Sequence, residues 1–547
     1  MTGNSHDAIT VEVIRNKLDG IANEMESSLL RSSFSPIVKE GLDASASLFT
    51  MNGETLAQAI AIPIHLGTLI PVVAAVLETF PPETMAQGDI YIMNDPYLGG
   101  THLPDIALVM PVFHDGRAIA LSAAMTHHQD VGGMSPGSVP THATEIFQEG
   151  LRIPPLKFHD QGVANDTLVA MLRLNVRIPD TLMGDLNAQV AACKVGERRL
   201  NELAERYGGE ALMATFETLL DRSEAMMRQA ITEMPDGAYG YDDVLDNDGV
   251  DLERTIRIET TVKIAGDTIE IDFAGTSGQV RGPFNCVPSG SQAAAYFAVQ
   301  ALADADIPSN GGCFRPISLL LPPGSLVNPR APAPVNSRTS TIKRIAGCII
   351  GALRLAVPGR ASADGGGELL LLAFGGERAD GSAYVTGEII ASGSGASNGK
   401  DGVDVIETDV TNCMNLPVEA LEMDAPIRVH RSELSADSGG AGAYRGGLGL
   451  VREYEVLKGD VVFTYRGERH AQPAAGYAGG GAGARAHAEI IRRDGGTESI
   501  DSKLVTRLAP GDRVKITTAG GGGYGPPEER APEHCAADLA DGKISGR

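Results

Sequence analysis

The chain has 547 residues, with 45 Lys and Arg against 70 Asp and Glu and a formal net charge of −25. That balance excludes a nucleic-acid backbone as partner, which needs a basic face, and a chain without tryptophan offers little base-stacking surface. Hydrophobic residues make up 43% of it, enough for a sizeable core and two or more domains, and 66 glycines imply many turns and close backbone approaches.

Val11 to Leu30 reads as an amphipathic helix, with Ile14, Leu18, Ile21, Met25 and Leu29 recurring at three or four. It is expected to stop by Pro36. A loop through Lys39-Glu40-Gly41-Leu42-Asp43 leads into a short strand, and Asn52-Gly53 marks a hairpin. Leu66 to Phe80 is a second, apolar helix. The uncharged run Ile60 to Leu77 is broken by Pro63, Gly67 and Pro71, so it reads as buried rather than membrane-spanning. Met1 to Thr10 lacks a signal-peptide pattern, and a cytoplasmic protein is expected.

Gly88 to Met93 alternates into a strand that delivers Asn94-Asp95-Pro96-Tyr97-Leu98-Gly99-Gly100-Thr101-His102-Leu103-Pro104-Asp105. Ile106 to Phe113 and Arg117 to Met125 are strands joined at Asp115-Gly116, a strong hairpin signal. Residues 165–174 and 180–232 are helical. Beyond Pro235-Asp236-Gly237 short strands dominate, interrupted by helices near 291–304 and 339–357. The expected class is α+β, in three segments: a metal-site domain over 1–235, a β-rich domain over 236–527, and a loosely ordered tail over 528–547.

The residues from His102 to His159 hold six of the 12 histidines. His102 and Asp105 precede one strand of the hairpin and His127 follows the other, so folding the hairpin makes them neighbours. Two imidazoles and a carboxylate leave open positions on Zn, Mn or Fe as a divalent ion. Asp43, His65, His128, Asp130, His142 and Glu145 are further candidates for ligands or for groups that orient them. The six cysteines form no C-x-x-C pair and read as reduced, mostly buried thiols. Gly393-Ser394-Gly395-Ala396-Ser397-Asn398-Gly399-Lys400-Asp401 is not a phosphate loop, because Ser394 stands where glycine is required and Asp401 where Ser or Thr is. ATP binding on this chain is therefore not expected.

These motifs together resemble the hydantoinase B family. It includes the B component of ATP-dependent hydantoinases, the C-terminal half of 5-oxoprolinase and the metal-bearing subunit of acetone and acetophenone carboxylases. The resemblance runs from Asn94 to Asp105, through His127-His128 with Asp130-Val131-Gly132-Gly133, and through Thr144 to Pro155. It continues through Gly184-Asp185-Leu186 with Ala188-Gln189, Asp437 to Gly442 with Tyr444 to Gly447, and Gly520 to Gly525. It implies a hetero-oligomer in which a separate ATP-binding A component phosphorylates an amide or carbonyl oxygen and this chain completes the reaction with a divalent metal. The family's metal ligands fall on His102, Asp105 and His127, and less closely on Asp43. The segment Lys39 to Asp43 departs from the family's commoner Glu-Arg-x-Asp form, which bears on substrate contacts. The expected activity is hydrolysis of a hydantoin- or 5-oxoproline-like cyclic amide, with Asp130, Glu145 or His128 as general base. The alternatives are a carboxylase subunit using the same metal and a non-catalytic scaffold for the A component.

Overall fold

The computed structural model describes residues 7–303, 306–367, 369–378 and 380–545. Residues 1–6 and 546–547, at the ends of the expected first and last segments, lie outside them. The N-terminal part is built on an antiparallel sheet of β1 (Ala44–Phe49), β2 (Thr55–Gln58), β3 (Ile90–Met93), β4 (Asp105–His114), β5 (Arg117–His127), β6 (Leu156–Asp160) and β7 (Val163–Ala164). Their spatial order is β2-β1-β5-β4-β3-β6-β7. The β4–β5 turn has Asp115 at φ 49° and Gly116 at φ 76°, the pair of positive values that a two-residue turn matched to strand twist requires.

Both faces of this sheet are covered, which is why β4 and β5 read as apolar runs and not as a simple alternation. Ile106, Leu108, Ala120 and Ala124 join the core formed with α1 (Ala8–Ser32) and α5 (Pro179–Tyr207). Ala107, Val109, Ala123 and Met125 face the other way, against Leu69, Val72 and Val76 of α3 (Pro63–Thr79). The short α2 (Pro36–Lys39) bridges α1 and β1, and α4 (Asp166–Asn175) and α6 (Gly209–Thr232) flank α5.

A second sheet, in the order β11-β10-β9-β8, comprises β8 (Gly237–Leu245), β9 (Ile256–Ala265), β10 (Thr268–Asp272) and β11 (Ile317–Leu320). It packs with α7 (Pro288–Leu302) and α9 (Arg338–Ala356), while α8 (Gly311–Phe314) lies against α6 and β2. One continuous core holds Val11, Leu108, Leu245, Ile258, Ile345 and Cys413 together. Residue 235 is therefore a change of local structure along one continuous hydrophobic core.

A separate core begins at Leu370, between two C-terminal sheets. One contains β12 (Leu370–Glu377), β13 (Ala383–Ile390), β16 (Val461–Arg466) and β19 (Lys503–Leu508). The other contains β14 (Ile427–Leu434), β15 (Leu450–Val456), β17 (His487–Ile491), β18 (Thr497–Ile500) and β20 (Arg513–Thr517). The helix α10 (Val418–Asp424) packs at their edge.

The glycine runs of this half form a stack of backbones laid side by side. Gly440 N–H donates to Gly521 O, Gly447 N–H to Ser394 O, and Gly523 N–H to Gly481 O, at 2.8–2.9 Å. A Cβ at Gly520 would lie 1.8 Å from Ser438 O, so glycine is needed for proximity and not for turning. The stretch Gly393–Asp401, which superficially resembles a phosphate loop, belongs to this stack. The tail is docked, contrary to expectation. Within α11 (Pro532–Ala540) Asp538 is buried, and Arg530 reaches it at 2.6 Å and Asp401 at 2.8 Å. Lys543 pairs with Asp404 at 3.2 Å. The pairs to Asp401 and Asp404 link groups more than 100 residues apart, so the tail's own charge gave no sign of them.

Candidate metal centre

Strand alternation decides which face each candidate occupies. Asp105 opens β4 and pairs in register with His127, the last residue of β5. Both are odd-numbered, like Ala107 and Met125, and so lie on the α3 side of the sheet. His102 comes from the loop just before β4. One ligand atom each from His102, Asp105 and His127 can be chosen so that all lie within 4.8 Å of one another, and all three side chains are buried.

The preceding motif holds that loop in place. Asn94 Nδ2 donates to Leu103 O at 2.7 Å and to Leu151 O at 2.9 Å, while its Oδ1 accepts from Ile153 N–H. Asp95 pairs with Arg152 at 2.7 Å. At Gly99, φ is +120° and a Cβ would meet Pro71 O at 2.5 Å, so the loop passes α3 only as glycine.

The hydrogen bonds fix the chemistry of the cluster. His102 Nδ1 lies 2.9 Å from the Asn336 carbonyl oxygen, which can only accept, so Nδ1 carries the proton. Nε2 then presents a lone pair, 2.9 Å from Asp105 Oδ1. Two lone pairs at that distance require a proton or a cation between them. Burial, with Arg338 nearby, brings the His102 imidazole down to about 4, so the neutral ring prevails near neutral pH. Burial alone would raise the Asp105 carboxyl, but His102 and Arg338 outweigh it and hold the group well below its usual range. The other Asp105 oxygen accepts from Thr101 Oγ1 and from Arg338, at 2.5 Å each. His127 Nδ1 has no partner among the described residues, and burial keeps its ring neutral. A bare imidazole nitrogen, an orphaned one and an oriented carboxylate are a donor set that fits a divalent ion.

The surrounding cavity brings Asp43, His65, Arg338, Thr339, Thr411 and Arg466 around the cluster. Asp43 is in the chamber but outside the three-residue group. Its carboxylate lies 3.8 Å from His65 Nε2, and its backbone carbonyl accepts from His127 N–H. Burial, reinforced by the charge of Asp105, raises Asp43 to about 8, and burial lowers His65 to about 4. Arg466 enters from the C-terminal half at the end of β16. Burial and the Arg338 charge bring it down to about 9. The centre thus sits on the seam between the two cores. Beside it a largely apolar cavity shares His127 and Leu371 and is walled by Ile37, Val139, Ala373 and Val385, with Glu388 at its edge.

The three residues expected to act as general base have other duties. His128 points to the opposite face of the sheet, as the residue after His127 must. Its Nε2 meets Thr126 Oγ1 at 3.0 Å and Gln189 Oε1, from α5, at 3.1 Å. Asp130 accepts from the backbone N–H of Gly132, Gly137 and Arg177 and pairs with the Arg177 guanidinium at 2.8 Å. Glu145 is exposed and caps the short helix Ile146–Gln148. His142 is exposed as well. Lys343 and Arg344, on α9, are tied to Glu407 at 3.0 Å and to Asp243 at 2.8 Å. Arg445 is tied to Asp404.

Sequence reasoning missed Asn336, Arg338, Arg466 and Glu149. Glu149 is buried and accepts from the N–H groups of Val335 and Asn336 at 2.8–3.1 Å, which fixes the carbonyl that orients His102. Its place in the motif Thr144 to Pro155 was a signal, but its target lies 187 residues away.

Fold and site together define an α+β chain with a buried His–Asp–His centre at the seam of two cores. The family described as Hydantoinase B/oxoprolinase matches residues 7–527, and the chain belongs to that family. The B component of a putative D-/L-hydantoinase from Pseudomonas sp. (strain NS671) is 35% identical over 98% of this chain and 93% of its own length. The beta chain of the caprolactamase of Pseudomonas jessenii is 34% identical over 99% and 95%. The 5-oxoprolinase 1 of Arabidopsis thaliana is 31% identical over 95% of this chain, which spans 42% of that longer protein. The crystal structure of the ATP-dependent caprolactamase from Pseudomonas jessenii superimposes with a TM-score of 0.92, at 34% identity over 99% of this chain and 95% of that one. A nucleotide-free acetone carboxylase structure reaches 0.88 at 19% identity, covering 99% and 79%, a likeness of fold.

Proposed function

We propose that this chain is the metal-bearing B component of an ATP-dependent amidase, which opens a cyclic amide after a separate A component has phosphorylated the amide oxygen. The observation that carries the reading is the bare His102 Nε2 facing Asp105 Oδ1, with His127 beside them. The family and its hydantoinase and caprolactamase relatives support the amide substrate and the two-component arrangement. Among the described residues no helix is long and apolar enough to cross a membrane.

A divalent ion held by His102, Asp105 and His127 would supply an acidified water and a counter-charge for developing negative oxygen. The chain's own residues do the rest. Asn336, fixed by Glu149, keeps His102 in one tautomer. Thr101 and Arg338 orient Asp105 and leave one oxygen facing the cluster. The largely apolar wall of Ile37, Val139, Ala373 and Val385 beside His127 is the side toward which the hydrocarbon part of the ring would lie. Asp43, in the chamber 3.8 Å from His65 and raised to about 8, holds its proton near neutral pH and is placed to donate it to the departing ring nitrogen.

The test is reconstitution with an ATP-binding partner. Ring opening of lactam, hydantoin and 5-oxoproline substrates is followed with and without ATP, bicarbonate and a chelator. ATP-dependent, chelator-sensitive ring opening that ignores bicarbonate is expected. A strict bicarbonate requirement with incorporation of carbon would replace this reading with the carboxylase one.

A further inference from the structure

Seven arginines are buried: Arg338, Arg344, Arg354, Arg445, Arg452, Arg466 and Arg469. Six of them have a carboxylate within 4.0 Å: Asp105 for Arg338, Asp243 for Arg344 and Arg469, Asp364 for Arg354, Asp404 for Arg445 and Glu388 for Arg452. Arg466 has none among the described residues. The residue is only 3% exposed, and its Nε and Nη1 atoms have no hydrogen-bond partner there either. Glu468 acts on it only at longer range, and the carboxylates of the chamber are otherwise engaged. Asp105 is held by Thr101, His102 and Arg338, Asp43 faces His65, and Glu468 bonds Lys503 and Asp246 N–H.

A buried cation with no carboxylate in contact among the described residues is costly, and a bound anion would offset that cost. Arg466 lines the same chamber as His102, His127 and Arg338. Asp105 already neutralises Arg338, so a divalent ion in the cluster leaves the chamber with surplus positive charge. A guanidinium is a planar fork suited to two oxygens of a tetrahedral anion.

We infer that Arg466 binds the anionic phosphoryl group which the substrate carries on its amide oxygen into the metal chamber. This rests on the amidase reading and names the part of the substrate that the chamber recognises. The phosphoryl group seats on Arg466 while the hydrocarbon ring lies toward the apolar cavity across His127. The scissile carbon is thereby left next to the His–Asp–His cluster.

The probe is inorganic phosphate, titrated calorimetrically into the full-length, metal-loaded chain and into its Arg466→Met and Arg466→Lys variants, with melting temperature as a check on folding. Wild type is expected to bind phosphate. Arg466→Met is expected to lose about tenfold or more in affinity while melting at or above the wild-type temperature, and Arg466→Lys to fall between them, since a point charge lacks the fork. Unchanged phosphate affinity in either variant overturns the inference. If Arg466→Met does not fold, the Lys variant decides alone. In a competition arm, bicarbonate displacing phosphate at lower concentration overturns the phosphoryl assignment in favour of a planar carbonate-type anion. Activity of the reconstituted complex is scored separately. Phosphate binding that depends on Arg466, in a complex that opens no cyclic amide, removes the amidase reading and leaves the anion site standing.

Discussion

The C-terminal sheets and the chamber at the end of the β4–β5 hairpin both bury charge, and they dispose of it in opposite ways. Between the sheets, Glu388 is bonded by Arg452 through Nη2 at 2.6 Å and also by Tyr454, while Arg452 Nη1 reaches Ser432 at 2.7 Å. That knot meets its own hydrogen-bonding needs. In the chamber, Nδ1 of His65 and His127, Nε of Arg338, and Nε and Nη1 of Arg466 have no partner among the described residues. Unmet hydrogen-bonding capacity gathered around one cavity is where water or a ligand can bind. The same types of residue are therefore structural in one region and available for chemistry in the other.

The sharpest way to break this contrast is to truncate a chamber histidine. His102→Ala or His127→Ala should abolish divalent-metal retention. Turnover of the reconstituted complex should fall on the order of 10³-fold, the size of losing several kcal/mol of transition-state charge stabilisation, with little change in melting temperature. Cutting the knot should do the reverse. Glu388→Ala strands a buried guanidinium and should cost about 3–5 kcal/mol in denaturant unfolding, with metal content per folded molecule unchanged. If Glu388→Ala lost metal and left stability intact, the contrast would collapse.

Smaller effects sharpen it. Glu149→Gln loosens the carbonyl that orients His102 and should weaken metal affinity about 10–100-fold in a chelator competition, without unfolding the chain. His128→Leu, on the opposite face of the sheet, should cost about 1–3 kcal/mol by leaving Gln189 and Thr126 less satisfied. Its metal content and its turnover per folded molecule should stay at the wild-type level, and a selective loss of turnover would restore His128 as a candidate base.

The part of the site that could be read from the sequence is the part made by local rules. Asp115-Gly116 fixes a two-residue turn, the turn fixes the register, and the register sets Asp105 opposite His127. The same rule, applied one residue further, shows that His128 faces away from His127. Clustering in sequence hid this, because adjacent residues of a strand serve opposite faces. Asp130 looked catalytic for want of its partner, since Arg177 lies 47 residues on. Asn336, Arg338 and Arg466 reach the chamber only through the packing of α9 and β16, and no periodicity or spacing reports on that. The glycine runs were visible as runs, but their lateral stacking depends on which loops meet, so a phosphate-loop lookalike and a set of supposed turns proved to be one packed layer. The core that crosses residue 235 was hidden for a similar reason, as local composition changes there while tertiary packing does not.

The most direct test of the central claim is elemental analysis of the purified chain beside its His102→Ala variant, both taken through the same chelator-free preparation. The account predicts about one divalent ion per wild-type chain and essentially none in the variant. An active wild-type complex free of divalent metal, or a variant that retains its full metal content, would contradict it.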